Sequence, residues 1–219
     1  RAEAVMCLGH LDSPLLTSVD TTPLTRQTVR DSLAEMIVDG DAKVRLAAIE
    51  SLRPGPEGPG GSIAPPQALA RGLNDESAQN RTAAINGLLF CSAGLDPWLP
   101  LLFQLVEHEP EDSVRSQCSF AIEQAFKPPA ITAAVVPYLR GRLASKDLKI
   151  QSLAALVLGT LRTDSRSAIP ELLRIAKESP DLAGIRSRGS YGSGDPAIAA
   201  TLALGKIAPE TAKAPEVIA

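Results

Sequence analysis

One phrase recurs along this chain, and its spacing restricts the fold more than any other feature. Asp39-Gly40-Asp41 is followed by Val44-Arg45 and then by Ala48 and Leu52. With Arg45 as phase zero, the same phase falls on Arg1, Arg81, Arg115, Gln151 and Ala197, in steps of 44, 36, 34, 36 and 46 residues. The position before it is Val44, Val114 and Ile150, with Asn80 and Pro196 as departures. Three residues on stand Ala4, Ala48, Ala84, Cys118, Ala154 and Ala200; seven residues on stand Leu8, Leu52, Leu88, Ile122, Leu158 and Leu204. At about 100° per residue these positions share one stripe of a helix, so each phrase predicts an amphipathic helix with one packed face. A repeat of this length is the mark of a helical array built from successive hairpins.

The composition agrees. Apolar residues make up 44% of the 219 and aromatics only 3%, so Ala and Leu carry the packing, which suits close helices better than a sheet. The expected fold class is all-α.

Ahead of each phrase lies a second apolar stretch, the leading helix of its hairpin. Pro66, Pro100, Pro137 and Pro170 recur there at a similar phase. An interior proline costs a helix about 3 kcal/mol unless the packing accommodates it, so each marks a kink or a fresh helix start. Pro137, inside the apolar run Ile131 to Leu143, is the best candidate for a kink. The turn between paired helices is acidic: Asp39 and Asp41, Asp75, Glu109 and Glu111, and Asp147. Carboxylates there can accept from the open amides of the second helix and favour its positive end. The arginine at phase zero can then reach an acidic turn, and a structural ladder between neighbouring repeats is expected of it before a charged binding strip.

Proline in the first helix, aspartate in the turn, then Val-Arg and small residues in the second helix resemble HEAT repeats of the short bacterial kind, within the armadillo-like superfamily. The resemblance covers nearly the whole chain and weakens at both ends; the last repeat has Pro196-Ala197 in place of Val-Arg. It implies a right-handed α-α superhelix, a solenoid of about five hairpins with partial repeats at the ends, running as a single domain over residues 1–219. Both ends fall in mid-repeat, so the chain is expected to be a piece of a longer array or to have its ends covered.

Three segments break the pattern. Thr22-Pro23 reads as a cap and first residue of a helix from about Leu24 to Val38, preceded by an extended connection. Residues 54–62, rich in Pro and Gly, are a surface loop without the Gly-Lys-Ser/Thr ending of a phosphate-binding loop. Residues 181–194 carry Arg186, Arg188 and Tyr191, which could clamp a partner, although a plain insertion in a solenoid turn is the preferred reading.

No constellation for catalysis emerges, and no catalytic, cofactor-binding or metal-ligating residue is assigned. The two histidines, His10 and His108, lack nearby ligand spacing, and His108-Glu109 reads as a solvated pair. Deoxyhypusine hydroxylase is a HEAT-repeat enzyme with several His-Glu pairs that bind iron. Arg1-Ala2-Glu3-Ala4 is similar to its local sequence but has Ala2 where the histidine would be. HEAT-type DNA glycosylases need a basic groove with aromatics, whereas Trp98 is the one tryptophan and reads as a hydrophobic anchor. The alternative reading is a HEAT-type enzyme or lyase accessory, phycobilin lyase-like or deoxyhypusine hydroxylase-like, and no residue here rules a lyase in. Cys7, Cys91 and Cys118 read as small buried thiols. A net charge of −3 disfavours broad contact with nucleic acid, no apolar run is long enough to span a membrane, and no targeting segment indicates a compartment.

The positive expectation is a non-catalytic scaffold for protein partners or a component of a larger complex. The resemblance implies that second helices line the concave side. Their position plus five holds Met6, Glu50, Asn86, Phe120, Leu156 and Leu202, with Phe90, Gln117, Gln124 and Leu153 nearby. These form either a partly apolar partner strip or contacts buried between repeats; the exposure of Phe120 and Leu156 decides between them.

Overall fold

The computed structural model describes residues 1–11, 23–53, 66–89, 96–124, 133–178 and 194–209, and every regular element among them is helical. The helices are α1 (Ala2–Leu11), α2 (Pro23–Met36), α3 (Ala42–Leu52), α4 (Pro66–Arg71), α5 (Ala78–Leu89) and α6 (Leu99–His108). They continue as α7 (Asp112–Gln124), α8 (Val136–Arg142), α9 (Leu148–Thr160), α10 (Ile169–Glu178) and α11 (Pro196–Ile207). Short 3-10 turns follow α4 and α9 and precede α8.

Local chemistry sets where the helices begin. Asp41 caps α3 by accepting from the Lys43 amide at 2.9 Å, and Asp39 accepts from the Asp41 amide at 2.9 Å. Asp147 caps α9 by accepting from the Lys149 and Ile150 amides at 2.8 and 3.4 Å. Asp195 does the same for α11, accepting from Ala197 at 2.8 Å. Each side chain satisfies amides that have no partner within the helix, worth about 1 kcal/mol apiece. The recurrent prolines also sit at helix starts. Pro66 opens α4, and Pro100, Pro137 and Pro170 are the second residues of α6, α8 and α10. At those positions the missing N–H costs nothing, and the fixed φ already suits the helix. This corrects the kink expected at Pro137: the 3-10 turn Ala133–Val135 comes first, and α8 starts afresh at Val136.

By their contacts the helices fall into two compact units, Arg1–Leu95 with Pro110–Ala121, and Asp96–Glu109 with Ile122–Ala219. In the first, α3 packs against α1, α2 and α5, and α4 lies on α5. Its core is aliphatic, with Leu33, Ile49, Leu52, Leu73, Ile85 and Leu88 fully buried. In the second, α9 packs against α6, α8 and α11, and α10 against α11. There Phe103 is fully buried and meets the Tyr138 ring edge-on, with centroids 5.9 Å apart and planes at 73°. That geometry favours the two ring quadrupoles.

The small residues of the repeat set how closely helices approach. A Cβ on Gly159 of α9 would stand 2.9 Å from Ala203 Cα of α11, and one on Gly72 would stand 2.9 Å from Ala84 Cβ. The stripe read from the sequence is buried almost throughout, including Ala48, Ala84, Cys118, Ala154 and Ala200 at plus three. On α1 the pattern slips by one residue, with Ala4 exposed and Val5 buried. After α9 the chain turns through Arg162, whose φ of 50° is left-handed. Buried Ser165 holds that turn, its hydroxyl 2.6 Å from Leu158 O and 2.8 Å from Arg162 O.

Candidate functional site

The joints before α3, α5, α7 and α9 are built around their phase-zero side chains. Arg45 donates from Nη1 to its own turn, at Asp39 O (2.8 Å). It also reaches forward, donating from Nε and Nη2 to the Asp75 carboxylate at 2.6 and 3.0 Å. Arg81 donates to Asp75 O and Glu76 O at 2.7 and 3.0 Å. Arg115 reaches Pro110 O at 3.2 Å and pairs with Asp112. Gln151, where arginine is absent, still donates to Ser145 O and Leu143 O at 2.8 and 3.1 Å. Arg1 contacts the Asp39 carboxylate at 2.6 Å. Arg45, Arg81, Arg115 and Gln151 thereby give hydrogen bonds to turn carbonyls, as polar groups beside a core require.

The Asp75 carboxylate is the most enclosed charge of this set. Its side chain is 3% exposed and that of Arg45 14%. It also accepts from the Ser77 amide at 2.8 Å and from Asn80 Nδ2 at 3.0 Å. Burial pushes its pKa up, but the hydrogen bonds from Arg45, Asn80 and Ser77 outweigh that and hold it below the usual carboxylate value. The hydrogen bond to Asp75 raises Arg45, against the cost of its burial. Asn80, the departure from Val or Ile at minus one, is buried and ties Asp75 to Ala42 O of α3 at 3.1 Å. Nothing in the spacing foretold that role, because the partner lies on another helix.

Ion pairs between helices also appear in the second unit. Arg140 Nε donates to Glu171 Oε1 at 3.0 Å, and Arg142 Nη1 donates to Glu107 Oε1 at 2.8 Å while its guanidinium lies 5.1 Å from the Tyr138 ring centre. Burial raises Glu171, and the hydrogen bond from Arg140 leads the effects that leave it lowered. Burial raises the Tyr138 phenol, and its buried Oη has no hydrogen-bond partner among the described residues. These pairs fasten α8 to α10 and to α6. His108 is exposed and lies 3.8 Å from Glu107, while Glu109 is buried. Among the described residues, no three or more His, Cys, Asp or Glu side chains are grouped to hold a metal ion. No helix there is long and apolar enough to cross a membrane.

The expected partner-facing residues divide. Phe120 on α7 is 49% exposed. One turn before it, Gln117 is half-buried and donates to Asn86 Oδ1 on α5 at 2.6 Å, so these fall together in the first unit. At the same repeat position Met6 is 48% exposed and Glu50 is exposed. In the second unit Leu202 of α11 is 41% exposed, Leu156 of α9 is half-buried, and Gln124 is exposed. Leu153 must be withdrawn from the surface set, because it is fully buried. It stands two residues past phase zero, where Ala47, Ala83 and Ala199 are also buried, whereas Gln117 at that position on α7 is half-buried, so the position is interior on α3, α5, α9 and α11 only. Phe90, Arg186, Arg188 and Tyr191 lie outside the described residues, as do the 54–62 loop and residues 181–193.

Two features lie outside the positions expected from the repeat. Leu148, immediately after the Asp147 cap, is 60% exposed on the second unit. It borders a cleft of about 380 Å³ whose lining includes Gln151, Ile175, Glu178, Asp195 and Pro196. An apolar residue directly behind a helix cap was the available signal. No protein-family model matches this chain, and no curated protein matches it.

Proposed function

We propose that the chain is a HEAT-type α-solenoid, a right-handed superhelix of hairpins, and that it serves as a non-catalytic scaffold presenting the concave surface of its second helices to a protein partner. The fold part of this reading rests on the recurrence of one joint: an acidic turn, a capped second helix, and a phase-zero side chain donating to its own turn carbonyls. The functional part rests on one observation, the half-exposed Phe120 on α7 beside the Asn86–Gln117 amide pair. A large aromatic ring left in water next to groups that can hydrogen-bond a partner has the composition of an interface core.

The test is affinity capture with mass spectrometry, using the parent protein as wild type and as Phe120→Asp. Loss of one specific partner with unchanged far-UV circular dichroism supports the reading. Recovery of the same partners by both proteins overturns the assignment of this face.

A further inference from the structure

We draw no further inference here: the strongest candidate, the cleft of about 380 Å³ in the second unit beside Leu148, Ile175 and Pro196, has its carboxylates already engaged, Glu178 by Arg174 and Asp195 by the Ala197 amide, and nothing in the structure shows what covers its apolar surface.

Discussion

Replacing Arg45 by alanine should cost far more than its place in a surface turn suggests. The change removes two charge-assisted hydrogen bonds to Asp75 and one to Asp39 O, and leaves a carboxylate only 3% exposed with Ser77 and Asn80 as its remaining partners. Breaking one side of a buried pair costs about 3–5 kcal/mol, mostly for the charge left behind. Water entering beside the shortened side chain relieves part of that, so we expect about 3 kcal/mol at neutral pH. If the stranded charge is the cause, adding Asp75→Asn to Arg45→Ala should cost less than the sum of the single changes, with a coupling of about 1–3 kcal/mol. The pH dependence has a fixed sign. A carboxylate lowered on folding stabilises the fold above its unfolded value of about 3.9 and loses that contribution as pH falls through the lowered folded value. The gap between wild type and Arg45→Ala should therefore be present at pH 7 and close as pH falls below the carboxylate range. Urea unfolding followed by circular dichroism gives the total effect. Native-state hydrogen exchange at α3 and α5 reads this unit separately, which matters in a chain with two compact units. A cost below about 1 kcal/mol at pH 7, the value of an exposed ion pair, would refute the reasoning.

Three further outcomes follow from packing and capping. Gly159→Ala should destabilise by about 1–2 kcal/mol, because its new methyl meets the Ala203 backbone, whereas Gly141→Ala, with open space around it, should stabilise by about 0.5–1 kcal/mol; thermal melts of the pair distinguish crowding from propensity. Leu153→Ala should cost about 2–5 kcal/mol while Phe120→Ala stays within about 1 kcal/mol, and equal costs in urea melts would contradict their opposite burial. Asp147→Ala should cost about 1 kcal/mol and speed amide exchange at Lys149 and Ile150, the two amides that it accepts from.

The parts legible in the sequence were those fixed by neighbours within a turn or two. Val44, Ala48 and Leu52 announce one helical face, and Asp41 and Asp147 announce the caps, because both signals act within a few residues. The errors have the opposite character. Leu153 and Phe120 look alike in a sequence, and only the helices packed around α9 decide that Leu153 is interior. Asn80 looked like a lapse in the pattern until Ala42 and Asp75 were brought to it. Pro137 was compatible with a kink or a start, and the preceding 3-10 turn resolves it. The candidate site was legible only in part, since exposure at position plus five depends on what stands opposite each helix.

Gln151 stands where Arg45, Arg81 and Arg115 carry a guanidinium, and the helices around it are held differently. Arg45 joins its turn to the next through a flexible side chain, whereas Gln151 bonds only to carbonyls of the turn before it. Between α9 and α11 the intimate contact is instead backbone against glycine, at Gly159 and Ala203. Mechanically these are different fittings. The arginine link is made by side chains alone, so losing it removes hydrogen bonds without placing any new atom between the helices. The glycine seat is made by the backbones, so any side chain added there must displace one helix from the other.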